Sequence, residues 1–291
     1  KKEVFIYSNS GYVPEQLRFF HVLGGKWCRT IAVEQEMFRM EAFDTAPASG
    51  TEPGSEQIVA AYRQARRLAR AKQSRPHHVQ YWFNISSNEV NLNWHNLERY
   101  SEVIRAVTLG LKQSDPNCVV STPEINSIAM GFLEKLGENH TFDYLDFYFT
   151  YGCSLPVPPE CNNKYWSFDI EALADIEERF GRRLTLTGMQ YSTGNRSRAW
   201  GIPEEHQAAY YVRGDVLRRT KDVDYIAYFK FRESPNVNIY EVKDAISHVD
   251  LSPKPAYVAM AHHFARMDRS QYLGQLLLGR GNHAYVFDRP A

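Results

Sequence analysis

The sequence predicts an α/β chain whose strands make one parallel sheet, closed as a (β/α)8 (TIM) barrel that is incomplete or irregular at its N-terminal end. Three observations lead there. Short β-branched or aromatic runs alternate with helical patterns about seven times, the signature of βα units and a parallel sheet. No strand is followed by a Gly-rich phosphate loop. Gly24-Gly25 precedes a strand, the reverse of the order used in a doubly wound nucleotide-binding sheet. Of the 291 residues, 43% are apolar and 23% charged, which suits a globular core and excludes a mainly disordered chain.

The elements run in order along the chain. Val4-Phe5-Ile6-Tyr7 is strand-like, and Pro14 to Leu23 is a short helix with its proline near the first turn. Trp27 to Val33 is a second strand. Residues 44–55 are a loop by composition, after which Ser55 caps a helix. Ile58, Ala61, Tyr62, Ala65, Leu68 and Ala69 fall there at helical spacing, with Arg and Gln on the other face. Val79–Ile85, Cys118–Ser121, Tyr144–Thr150, Leu184–Thr187 and Tyr225–Phe231 are the later strands. Helices run over Asn96–Lys112, Asn126–Leu136, Ile170–Phe180 (ended by Gly181), Glu204–Arg219 and Pro255–Met267. Residues 1–75 are short for three full βα units. The barrel is assigned to residues 1–270, and 271–291 to a C-terminal strand segment.

Charge and composition exclude several functions. Lys+Arg and Asp+Glu both number 34, so the basic excess of a general nucleic-acid binder is missing. No apolar run of about 18 residues exists to span a membrane. Cys28, Cys118, Cys153 and Cys161 form no CxxC pair, which argues against structural zinc. Cys153 and Cys161 enclose a Pro-rich loop, and both a local disulfide and free thiols fit that spacing. His77-His78 and His262-His263 are adjacent in pairs, so their rings diverge and read as ordinary surface or core histidines. Arg63, Arg66, Arg67 and Arg70 read as the solvated face of a barrel helix.

A barrel carries its chemistry at the C-terminal strand ends. Strand 79–85 leads into Ser86-Ser87-Asn88-Glu89-Val90-Asn91, and strand 118–121 into Thr122-Pro123-Glu124. Strand 144–150 ends at Tyr151-Gly152, strand 184–187 at Gly188-Met189-Gln190-Tyr191-Ser192-Thr193, and strand 225–231 at Arg232-Glu233.

Taken in order, these ends resemble the retaining β-glycosidases of glycoside hydrolase clan A. There a fourth strand ends in W-x-x-x-N-E-P-N; here Trp82 is followed by Asn88-Glu89-Val90-Asn91, with Val90 for the proline. Thr122-Pro123 stands for the family's G-P, Asp146 to Tyr151 for D-F-x-S-x-H-x-Y, and Thr187-Gly188-Met189-Gln190-Tyr191-Ser192 for T-E-x-G-W/Y-S. Lys254-Pro255-Ala256-Tyr257-Val258-Ala259 is similar to K-P-A-Y-x-A after the eighth strand. Residues 281–287 look like the first strand of the accessory β-domain that often comes next. The likeness covers roughly residues 75–290.

The resemblance implies a site. Retaining hydrolysis uses two carboxyl groups about 5–5.5 Å apart, one acid/base and one nucleophile, through an oxocarbenium-like transition state. Glu89 takes the acid/base place, and Asn88 the place that bonds the sugar 2-hydroxyl. Trp82, Tyr151, Gln190, Tyr191 and Phe229 are the implied substrate contacts. The nucleophile place holds Gly188, which has no side chain to attack an anomeric carbon. Three accounts stand: an introduced Glu→Gly change, a natural homologue that kept sugar binding without hydrolysis, or another carboxylate, Glu233 or Glu124, in the role. The expected function is therefore a glycoside hydrolase acting on a β-linked oligo- or polysaccharide. The alternative is a non-catalytic carbohydrate-binding barrel. The mechanism needs no metal or organic cofactor, and a carbohydrate is the expected partner, without nucleic acid or membrane. The family likeness alone implies a secreted or periplasmic location.

Overall fold

The computed structural model describes residues 3–6, 27–28, 38–43, 54–73, 79–83, 97–120, 143–148, 158–160, 178–181, 183–189, 191–194, 201–221, 223–228, 231–233, 243, 245–279 and 282–289. Eight strands form one sheet: β1 (Glu3–Ile6), β2 (Trp27–Cys28), β3 (Phe38–Phe43), β4 (Val79–Phe83), β5 (Val119–Val120), β6 (Tyr144–Tyr148), β7 (Arg183–Met189) and β8 (Val223–Tyr228). Their order is β5-β4-β3-β2-β1-β8-β7-β6, with every pairing parallel.

That order is the sequence order run round a circle and cut between β5 and β6. The first and last strands are neighbours: Phe5 pairs with Ala227 and Ile6 with Tyr228. At the cut, the Asp143 amide donates to the Val120 carbonyl at 2.8 Å, and the Val120 amide donates to Asp143 Oδ2 at 2.8 Å. Lys112 Nζ lies 2.7 Å from the same Asp143 oxygen.

Three strands precede residue 44, one more than the sequence predicts. The missing one is β3, Phe38-Arg39-Met40-Glu41-Ala42-Phe43. Its apolar residues alternate with charged ones at period two. Fully buried parallel strands are usually continuous apolar runs, so this segment carries the wrong pattern for the expected sheet. With β3 counted, the strand before Asn88-Glu89 is the fourth and the strand holding Gly188 is the seventh, the ordinals the family likeness implies.

Four long helices are described. They are α1 (Ser55–Gln73), α2 (Leu97–Ser114), α3 (Glu204–Arg219) and α4 (Pro255–Met267). Ser55 is already helical. The N-terminal closure is made by Gly54, whose amide donates to Gln57 Oε1 at 2.8 Å while its carbonyl accepts from the Gln57 amide at 3.0 Å. Ala65 and Ala69 on α1 bury with Val103, Ile104, Val107 and Leu111 on α2. Arg63, Arg67 and Arg70 are exposed, as the amphipathic pattern requires. The helices predicted over 14–23 and 126–136 lie outside the described residues. Of the one over 170–180, residues 178–180 are helical and Gly181 comes next in the left-handed region, with φ 58°.

The C-terminal segment is a hairpin rather than a single strand. β9 (Gln271–Leu277) pairs antiparallel with β10 (His283–Asp288), and Tyr272 meets the rings of Tyr285 and Phe287. Among the described residues no helix is long and apolar enough to cross a membrane.

Candidate functional site at the ends of strands 4, 7 and 8

In the sequence Asn88 and Glu89 come five and six positions after Phe83, the last residue of β4. Both lie outside the described residues, as do Tyr151, Gln190, Phe229 and Glu124. Trp82 is in β4, paired with Ala42 of β3.

Gly188 lies at the C-terminal end of β7, where the ladder is irregular. Leu186 pairs with Ile226, but the next pair to β8 is Met189 with Tyr228. Thr187 and Gly188 together therefore oppose Ala227 alone. On the other edge Thr187 stays in register with Tyr148 of β6. An extra residue on one strand bends it and re-aims the residues beyond, a device common at barrel rims.

The segment after Gly188 turns inward. Tyr191 is wholly buried, its ring edge-on to Tyr211 at 5.1 Å and set against Tyr210 at 5.5 Å. As placed, the ring has no exposed face for a sugar, so its part here is packing against α3, contrary to the expected rim contact. Gln207 of α3 donates from Nε2 to the Tyr191 carbonyl at 2.7 Å. Thr193 and Gly194 pair with Lys243: the Thr193 amide donates to the Lys243 carbonyl at 2.8 Å, and the Lys243 amide to the Gly194 carbonyl at 3.2 Å.

After β8, Phe231 and Glu233 are buried, and Ser247 is tied to them by main-chain bonds at 3.0 and 3.2 Å. Glu233 does not offer a free carboxylate. Its Oε1 lies 2.5 Å from Nζ of Lys254, a residue 1% exposed at the start of α4. That pairing argues against Glu233 as the missing nucleophile. Lys254 Nζ also donates to Thr193 Oγ1 at 3.0 Å and lies 4.0 Å from Glu204 Oε1. In the sequence Lys254 stands out only as the head of a motif; its role emerges from contacts with residues far along the chain.

Behind this rim lies a second buried group. Asp215 of α3 accepts from Arg219 and from the Tyr228 hydroxyl, and its Oδ2 is 2.7 Å from His263 Nε2 of α4. Burial alone would raise the Asp215 pKa, but the Arg219 charge and the His263 and Tyr228 bonds outweigh it and hold the carboxyl far below its ordinary 3.8. Burial also pushes the Tyr228 hydroxyl well above 10. His262 points to solvent while His263 serves Asp215, so the adjacent pair diverges. Of the Pro-rich loop between Cys153 and Cys161, Pro159 is buried and Glu160 Oε1 accepts from Arg213 Nε of α3 at 2.6 Å. The two cysteines are outside the described residues.

No family model matches the sequence, and no curated protein does. Solved structures match in fold. A family 39 glycoside hydrolase from Bacteroides cellulosilyticus WH2 aligns with TM-score 0.58 and 13% identity, over 98% of this chain and 67% of that one. Xylanase 10B from Thermotoga maritima gives 0.58 at 12% identity, over 91% and 95%. A β-glucuronidase from Bacteroides uniformis gives 0.61 at 12%, over 94% of this chain but 36% of the enzyme. Identities this low speak for the fold alone, which is similar to that of these glycoside hydrolases.

Proposed function

We propose that this chain is a closed (β/α)8 barrel of retaining β-glycosidase type whose cleft takes a β-linked oligo- or polysaccharide. Glu89 is its acid/base, Asn88 bonds the sugar 2-hydroxyl, and Gly188 occupies the place of the nucleophile. The observation that carries the reading is ordinal. Asn88-Glu89 come after the fourth strand and Gly188 ends the seventh, in an eight-stranded parallel sheet whose first and eighth strands pair. The fold neighbours, glycoside hydrolases of several kinds, support it. Trp82, Tyr151, Gln190 and Phe229 are proposed as sugar contacts, and the mechanism uses no metal or cofactor. A secreted or periplasmic location is proposed from the same likeness.

With Gly188 in place, the acid can protonate a leaving oxygen, but nothing attacks the anomeric carbon from the opposite face. Restoring a carboxylate supplies that attack: the glycosidic C–O bond breaks as an ester to the enzyme forms, and the Glu89 proton leaves with the departing alcohol. Gly188→Glu should therefore gain hydrolysis of 4-nitrophenyl β-glycosides or β-linked polysaccharides, and adding Glu89→Gln should abolish it. Glycan binding by the parent chain, with Gly188→Glu inert, would favour the second reading, a binding barrel without hydrolysis. Gly188 itself is the observation behind that reading.

A further inference from the structure

The segment that leaves β7 just beyond Gly188 is held by a buried ammonium. Lys254 enters from the start of α4, about sixty positions along the chain, with its side chain wholly covered. It neutralises Glu233 from the β8 exit at 2.5 Å and donates to Thr193 from the β7 exit at 3.0 Å. Thr193 passes the bond on, its hydroxyl donating to the Lys243 carbonyl at 3.0 Å. The same carbonyl takes the Thr193 amide, so one backbone oxygen anchors both the loop and the chain of donors. The Lys254 amide is itself fixed, donating to the Ile246 carbonyl at 3.0 Å. A buried charge held by an ion pair and a hydrogen bond fixes geometry, because any other arrangement strands the charge.

We infer that Lys254 is a positioning residue for the cleft. It ties the exits of β7 and β8 together and so sets where residue 188 stands relative to the substrate. The cleft itself rests on the glycosidase reading; the tether does not. Two measurements separate them.

The first uses the chain alone. Amide hydrogen exchange, read by peptide, should rise at least tenfold over residues 191–194 in Lys254→Met, with α1 and α2 unchanged. Lys254→Met/Glu233→Gln, which strands no charge, should recover thermal stability and still leave 191–194 open, because Thr193 has lost its donor. Protection of 191–194 at the parent level in the double variant would overturn the tether.

The second measurement places Lys254→Met/Glu233→Gln in the Gly188→Glu background and monitors a 4-nitrophenyl β-glycoside that Gly188→Glu cleaves. The value of kcat should fall on the order of tenfold or more with KM within about twofold, since a small misplacement of a reacting group costs rate before affinity. An unchanged kcat would overturn the positioning role. A Gly188→Glu chain that cleaves nothing would instead remove the glycosidase reading, and the exchange result would still decide the tether.

Discussion

Asp215 shows how much of this protein is held by single buried charges. It is 1% exposed and joins three elements: Arg219 on its own helix, Tyr228 at the end of β8 and His263 on α4. Removing one partner of a buried pair costs about 3–5 kcal/mol, because the other charge stays behind unpaired. Asp215→Asn should lower the unfolding free energy at pH 7 by about that amount, measured by urea denaturation. The folded carboxyl is held below its ordinary 3.8, so its stabilisation is full above that value and drains away as pH falls through it toward the folded pKa. The gap between parent and Asp215→Asn should therefore narrow steadily below about pH 4. A gap independent of pH would mean the carboxylate is not the source. None of this is legible in the sequence: Asp215 reads as one more polar residue on an amphipathic helix, and its partner His263 as half of an idle pair. Tyr191 errs the other way. An aromatic beside a polar residue at a strand end suggests a sugar contact, and only the packing of Tyr210 and Tyr211 shows that its ring is spoken for.

At the scale of elements, the helices are the easier part. Glu204–Arg219 and Pro255–Met267 have the boundaries expected from Pro203, Pro255 and the turn of charge along each helix, acidic at the start of the first and basic at the end of both. Strands are harder, because two residues suffice for β2 and β5, and β3 carries charges in alternate positions. Sequence periodicity also does not reveal how closely two helices approach. Gly110 of α2 meets α1 where an added Cβ would lie 2.6 Å from the Tyr62 carbonyl and 3.0 Å from the Ala65 Cβ. Alanine gains about 1 kcal/mol over glycine in a helix interior. Overpacking against a backbone that cannot rotate away costs about 1–3 kcal/mol. The clash should win, so Gly110→Ala should lower the unfolding free energy by up to about 2 kcal/mol, whereas a more stable variant would show that α1 and α2 have room to part.

For the whole molecule the question is how the two edge strands of the sheet, β5 and β6, are held. The motif order along the chain is readable because the strands run through the sheet in sequence order, so Asn88-Glu89 still stand three strands before Gly188 even with β3 overlooked, although their ordinals do not. The junction between β5 and the start of β6 is not readable, since its bonds are made by Asp143, an acid outside any motif. Its amide and carboxylate both bind Val120 of β5, while Lys112 at the end of α2 neutralises it. Cys118 sits two residues before Val120, buried, its thiol pushed up to about 12 by that burial. A thiol so placed reacts only when its surroundings open. Asp143→Ala removes one hydrogen bond to a strand amide and one half-exposed ion pair, about 1–2 kcal/mol together. It should therefore speed iodoacetamide labelling of Cys118 at pH 8, mapped by peptide mass, by roughly five- to thirtyfold, the factor those energies correspond to if opening is local. Asp143→Asn should fall between, since the amide oxygen still accepts from Val120 but no longer pairs with Lys112. Labelling at the parent rate in Asp143→Ala, with unchanged unfolding, would mean that β5 is held by other contacts and that Asp143 is incidental to that junction.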